Sequence, residues 1–331
     1  YLPDTGPVGR TSMTVVQAIR QIDPSNARLV VAEGDLAKAK MEVASVMRNV
    51  LKAKASRSAS EEAQLTALNK QIADLYAVAI ARYQAAIKAG GSIDLSVKLG
   101  QAYLLGGELD LAETELKAVL NRSPYRADAY EYLAQINLLR GDKTSALERY
   151  RTALERSRDV EQRIRVAEAI LTLDPNDTSV RLRLAKLYSQ DSQWSAAVRV
   201  YEALIQADPT SEEAYSGIAD AYVARGDSDE ALQYLRRGVT AVKQDAAKIR
   251  LYEQIVDVDQ ADVGTGKPLS SAGLDALIEI AKLDITRGDT SDAQAKLTQV
   301  QTADKKYRAA EVQSLLDQVG GPLTTSTPSA L

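Results

Sequence analysis

The sequence predicts an all-α protein: a helical-repeat solenoid with extra single helices and a long N-terminal helix. Three observations predict it. Wherever apolar residues are patterned, they follow helical spacing rather than the alternation of a strand. A short motif recurs at an interval of 34 residues, and a larger unit of 85 residues is duplicated above it.

The motif is clearest at Leu99-Gly100-Gln101-Ala102-Tyr103, followed by Ala112, Leu116 and Pro124. Gly100 allows two helices to approach closely, Tyr103 and Leu116 fill the space between them, and Ala112 marks a second close contact. Pro124 ends the second helix because it lacks an N–H and disfavours helix before it. The next copy reads Tyr130, Leu133, Ala134, Ala146 and Tyr150, with Asn137 at the Tyr site and Arg158 at the Pro site. A third reads Leu184, Ala185, Tyr188, Ala197, Tyr201 and Pro209, and a fourth Tyr215, Ile218, Ala219, Tyr222, Ala231 and Leu235. A looser fifth has Leu277, Ile280, Ala281, Ala293 and Leu297, with Asp284 at the Tyr site. Breaker pairs stand where paired helices must turn: Gly106-Gly107, Gly141-Asp142, Gly226-Asp227 and Gly288-Asp289.

These residues resemble the tetratricopeptide repeat over roughly 93–305. The resemblance implies a right-handed solenoid that binds peptides or proteins. It specifies the fold and says little about the ligand.

Between the second and third copies the interval lengthens from 34 to 51 residues, and the insertion contains Arg163-Ile164-Arg165-Val166 through Leu171. The same Ile-Arg-apolar-x-Glu-x-Ile pattern returns 85 residues later in Lys248–Val256. The duplicated unit is therefore two repeats plus one helix. An odd helix in an up-down array reverses the parity of every helix after it, so each is expected to bend or offset the solenoid.

Residues 1–92 are expected to form an N-terminal helical cap region, and 93–262 four repeats with two extra helices. A flexible linker at 263–273, a fifth repeat with capping helix at 274–319 and a mobile tail at 320–331 complete the chain. Leu2-Pro3-Asp4-Thr5-Gly6 matches a sortase sorting signal in letters, but no apolar stretch and basic tail come after it. It reads as a coincidence in an extended, turn-rich segment. Met13, Val16, Ile19 and Ile22 lie on one face of a short helix stopped by Asp23-Pro24. Gly34-Asp35 stands where the turn of a degenerate repeat in 26–54 belongs. From Ser60 to Ala89 no breaker intervenes, which gives a helix of about 45 Å. Gly264-Thr265-Gly266-Lys267 is a fragment of a phosphate loop without the required second half or a preceding strand. Arg308–Val319 is the capping helix.

Composition narrows the function classes. The 331 residues are 45% hydrophobic and 26% charged, with net charge −4 and no patch of the Lys/Arg excess that a phosphate backbone demands. Nucleic acid is not an expected partner. No apolar run reaches the length of a membrane span. With no His and no Cys, imidazole bases, thiol nucleophiles and Cys/His metal sites are excluded. No cofactor and no metal site are expected. Paired carboxylates such as Glu212-Glu213, or Asp227 with Asp229 and Glu230, fall at helix starts, where carboxylates favour the helix dipole, so no catalytic residue is assigned. Phe is absent while Tyr numbers 15, so Tyr supplies most large side chains.

The family's groove is lined by the first helices, and its best-known peptide site clamps a C-terminal carboxylate with Lys, Asn and Arg. The matching positions here include Asp94, Val97, Lys98, Gln101, Asp128, Glu131, Tyr132, Gln135, Arg183 and Lys186. Val97, Gln101 and Tyr132 stand where that clamp needs Lys and Asn. Gln101, Tyr132, Gln135, Arg183 and Lys186 are the candidate protein-binding groove. Charge is uneven as well: 206–235 hold seven acidic residues and one basic one, Arg225. The expected function is a non-enzymatic protein-interaction scaffold or adaptor in a bacterial cell envelope, periplasmic or secreted. The cytoplasm is the alternative location. The alternative function is a self-assembling structural subunit joined through Leu65, Leu68, Ile72 and Leu75.

Overall fold

The computed structural model describes residues 27–320, which form fifteen helices and, among the described residues, no strand. The chain divides between Leu173 and Asp174 into two compact units. The first holds α1 (Ala27–Lys52), α2 (Ala59–Lys88), α3 (Ile93–Gly106), α4 (Leu109–Arg122), α5 (Ala127–Leu139), α6 (Lys143–Arg156) and α7 (Val160–Leu173). The second holds α8 (Thr178–Gln190), α9 (Trp194–Ala207), α10 (Glu212–Arg225), α11 (Ser228–Ala241) and α12 (Asp245–Val263). It continues with α13 (Ser271–Arg287), α14 (Thr290–Ala303) and α15 (Ala309–Gln318). Successive helices within a unit pack on each other, and first helices also touch: α1 with α3, α3 with α5, α8 with α10, α10 with α12. This is a helical-repeat solenoid.

The duplication is visible in the helix starts. Helices α3 to α7 begin at 93, 109, 127, 143 and 160, and α8 to α12 at 178, 194, 212, 228 and 245, each 85 residues on.

The motif residues do the packing expected of them. A Cβ on Gly100 would lie 2.8 Å from Leu116 Cγ, so only glycine lets α3 and α4 approach this closely. The small positions Ala112, Ala134, Ala146, Ala185, Ala197, Ala219, Ala231, Ala281 and Ala293 are wholly buried. Tyr103 closes the first pair, and its hydroxyl accepts from Gln84 Nε2 at 2.9 Å, which supplies the partner a buried phenol needs. Gly107, Gly141, Gly226 and Gly288 end their helices with φ between 81° and 85°. In the third pair no glycine is available, and Ser192 takes the left-handed conformation at φ 57°.

The N-terminal region departs from the sequence reading. Gly34-Asp35 is not a turn but lies inside the unbroken α1. Glycine is needed there because a Cβ would meet Tyr83 Cε1 of α2 at 2.9 Å. Breaker composition misleads at this point because close helix packing and a turn both select glycine. Helix α2 forms as a long helix, started by a capping box in which Ser58 and Glu61 exchange bonds. It runs antiparallel along α1: Gly34 faces Tyr83 near one end, and Met41 and Ala44 cluster with Leu68 and Ile72 towards the other. Leu68 and Ile72 are therefore buried against α1, with Leu65 and Leu75 packed on the same cluster. The stripe expected to join copies of the chain is taken up inside it.

The stretch 263–273 is also tied down rather than free. The buried Asp259 carboxylate accepts from Ser270 N at 2.8 Å and from the Ser270 hydroxyl. Gln260 Nε2 donates to the carbonyls of Gly264 at 2.9 Å and Lys267 at 3.3 Å. Helix α15 lays Val312, Leu315 and Leu316 on Leu297 and Val300 of the last pair. The expected helix over 12–22, the sorting-signal match and all of the expected tail beyond Gly320 lie outside the described residues.

Candidate functional site

In the first unit, the first helices carry a chain of polar groups that bond to one another. Asp35 of α1 accepts from the Tyr83 hydroxyl at 2.9 Å and from Lys98 of α3 at 2.7 and 2.8 Å. Gln101 accepts from Lys38 Nζ at 2.9 Å and donates to Glu42 at 3.2 Å. Arg126 bridges Asp94 of α3 to Asp128 of α5, which holds the Asp94 carboxyl below its usual range. Glu131 accepts from Gln162 of α7 at 2.8 Å, with Arg165 at 3.8 Å. Val97 and Glu131, solvent-facing by their place in the repeat, are instead buried, at 5% and 8% exposure. Burial pushes the Glu131 carboxyl up, and the bond from Gln162 and the charge of Arg165 only partly offset it.

Tyr132 is half-buried on the core of this unit, and burial, then Glu131 and Asp128, push its hydroxyl far up. Gln135 is half-buried on the same helix. Gln101 and Tyr132 thus belong to a face whose polar groups are largely satisfied from within, with Glu42 beside both. Gln101, Tyr132 and Gln135 lie in the first unit and Arg183 and Lys186 in the second.

The second unit differs. Arg250 of α12 grips Glu212 of α10 with two bonds of 2.5 and 2.6 Å, and Gln254 donates to Asp220 at 2.6 Å and to the Ser216 carbonyl at 3.3 Å. Between α8 and α10 lies an open hollow of about 370 Å³ lined by Lys186, Ser189, Tyr201, Glu213, Gly217 and Asp220 among others. Its origin is legible from the register. Gly217 stands 85 residues after Tyr132, so the phenol ring present at that position in the first unit has no counterpart. The Tyr201 ring comes against the bare backbone instead, where a Cβ would lie 2.2 Å from its Cζ. Asp220 stands 85 residues after Gln135. Its carboxyl is pushed up by burial, which outweighs the uncharged Gln254 amide.

Lys186 is exposed at the rim of this hollow, and Arg183 is half-buried one turn earlier on α8. Sequence reasoning names Gln101 and its counterpart Lys186 but stops at Gln135. The same 85-residue step leads from Gln135 to Asp220.

No group of His, Cys, Asp or Glu among the described residues is arranged to hold a metal ion. No described helix is long and apolar enough to cross a membrane. Of the acid pairs, Glu212 is held by Arg250 and Asp227 by Arg225 at 3.1 Å.

Tetratricopeptide repeat models match residues 73–127, 97–161 and 189–255. The chain is a tetratricopeptide-repeat protein. Among solved structures it is similar to a TPR2AB-domain complex of yeast Sti1, at 19% identity over 75% of this chain and 93% of that one, TM-score 0.28. Another is YrrB, described as a TPR protein with an unusual peptide-binding site, at 14% identity over 52% and 97%, TM-score 0.28. A tetratricopeptide repeat protein from Parabacteroides merdae is similar at 16% identity over 75% and 93%, TM-score 0.26. The search of curated proteins found no match. A tetratricopeptide array is a scaffold for protein–protein interaction, and the fold is typically a non-catalytic module.

Proposed function

We propose that this tetratricopeptide-repeat protein is a non-enzymatic adaptor that holds an extended segment of a partner protein on the α8–α10 face, with a basic side chain of the partner set against Asp220. One observation carries the reading. At the position where the first unit has Tyr132, Gly217 leaves a hollow beside the exposed Asp220 carboxylate, which meets the neutral Gln254 amide at 2.6 Å. A Lys or Arg ammonium or guanidinium would supply the missing charge and make a charge-assisted hydrogen bond. The seven-to-one acidic excess over 206–235 favours approach of such a segment. Lys186 and Arg183, on the opposite wall and one turn away, suit backbone carbonyls of the same segment.

We place this work in the assembly of a bacterial cell-envelope complex, periplasmic or secreted. The support is compositional: a chain of 331 residues without cysteine suits a compartment where free thiols are a hazard.

A peptide array tests the binding reading. Retained peptides should be enriched in Lys or Arg, and Asp220→Asn should weaken them about tenfold, about 1.4 kcal/mol, with an unchanged far-UV spectrum. Retention that ignores basic residues and survives Asp220→Asn would overturn it. Fractionation of the native host, with the protein found in the cytoplasm, would overturn the location.

A further inference from the structure

Helix α10 presents one stripe to the hollow beside α8: Glu213, Ser216, Gly217 and Asp220, at the i, i+3, i+4, i+7 spacing of a single helical face. The middle of the stripe is small, and an exposed carboxylate stands at each end. From Glu213 to Asp220 is just under two turns, so the two acids share a face about 10 Å apart along the axis. The first unit shows how such a stripe is closed off. Its equivalents, 85 residues earlier, are Asp128, Glu131, Tyr132 and Gln135. There Arg126 holds Asp128 with two bonds of 3.0 and 2.6 Å. The residue 85 after Arg126 is Ser211, whose short side chain makes no capping bond, so Glu213 lacks that internal cation. Arg250 spends both its bonds on the neighbouring Glu212. Lys186 stands on the opposite wall, and no ion pair or hydrogen bond among the described residues reaches the Glu213 carboxylate. Ser211 frees an acid and Gly217 opens the floor of the same stripe.

We propose that the partner segment carries two basic residues three apart, one set on Asp220 and the other on Glu213, an assignment that rests on the α8–α10 face being the binding surface. Glu213 is then the residue that selects for the second charge, through a charge-assisted hydrogen bond. Chain geometry selects the spacing. In an extended polyproline-II segment residues i and i+3 point to the same side and lie about 9 Å apart, close to the separation of the two acids. In a β-strand the same-side neighbours lie about 7 or 13 Å apart, one too short and the other too long. Ser216 and Gly217 between the acids leave room for the two intervening residues.

Dye-labelled ten-residue peptides of Ala, Pro and Gly, blocked at both ends, test the spacing. They carry one Lys, or two Lys placed one to five positions apart, and are titrated against the full chain by fluorescence anisotropy. Affinity should peak at three apart, about threefold above pairs one or five apart, as for one exposed ion pair. Glu213→Gln, with an unchanged far-UV spectrum, should flatten that peak. Suppose instead that there is no peak at three, or that it survives Glu213→Gln, while Asp220→Asn still weakens the one-Lys peptide. That result would overturn the spacing and leave the binding surface standing. Peptides that all bind Asp220→Asn as well as the parent chain would overturn the surface, and this inference with it.

Discussion

Arg250 on α12 stands 85 residues beyond Arg165 on α7, and each guanidinium reaches back to a glutamate on the preceding first helix. Arg165 approaches the buried Glu131 at 3.8 Å, whereas Arg250 holds the more open Glu212 at 2.5 Å. The extra helix that interrupts the 34-residue rhythm is thus tied to the preceding first helix in both copies, though not at equivalent positions, since Ala127 stands 85 residues before Glu212. Removing the weaker cation tests this: Arg165→Ala should push the Glu131 carboxyl still further up, read by NMR titration of the side chain. An unchanged titration would show that Arg165 plays no part in fastening α7.

Glu131 also makes stability depend on pH. Its folded-state pKa is raised above the ordinary 4.5, so the folded state holds the proton more tightly. The stabilisation is complete below 4.5 and is lost as pH rises through the folded value. At neutral pH the ionised, desolvated carboxylate is a cost. Glu131→Gln keeps an oxygen that can accept from Gln162, and it should raise the melting temperature at pH 7. That gain should shrink as pH falls from the raised folded value towards 4.5 and be lost below it. A melting temperature that falls at pH 7 would refute this account of Glu131.

Gly100 and Leu116 test the close approach at the heart of the first pair. Gly100→Ala should destabilise by about 1–3 kcal/mol despite alanine's better helix propensity, because its Cβ meets the fully buried Leu116. Leu116→Ala alone should cost about 2–5 kcal/mol. Combined, they should cost less than their sum, since the second change makes room for the first. Urea unfolding of the four proteins of the cycle measures this, and strict additivity would show that the two residues do not compete for space.

Asp259 closes the loop before the last repeat. Asp259→Ala leaves the Ser270 N–H and hydroxyl without their acceptor, at a cost of about 1–3 kcal/mol. Amide hydrogen exchange should accelerate at Ser270 and through Gly264–Leu269 while helices of the first unit keep their protection. Unaltered exchange there would mean that the loop is held by other means.

Helix type and repeat period are legible in the sequence because both arise from apolar spacing. Ala112, Leu116, Ala197 and Leu235 have the spacing of packing positions and are buried. The function of a glycine is not legible at Gly34, where a contact with Tyr83 and a turn call for the same residue. The candidate groove is half legible. Lys186 lines a hollow, whereas Gln101 and Tyr132 are taken up by α1 and the core, which sequence spacing on α3 and α5 cannot show. Asp220 escapes the sequence reading because its partner Gln254 lies on an extra helix, outside the family pattern. Comparing the two copies position by position, Gln135 with Asp220 and Tyr132 with Gly217, carries that signal.

Nearest-neighbour packing bears on how the chain is made. Lys98 and Asp35, the ends of the longest bridge described, are 63 residues apart, and Glu131 and Arg165 only 34. Such low contact order favours fast folding and lets each hairpin close soon after its second helix leaves the ribosome. By the time Leu173 is added, every partner named for the first unit has been synthesised. Little apolar surface then waits for distant sequence, and a growing chain of this kind offers chaperones and aggregation few openings.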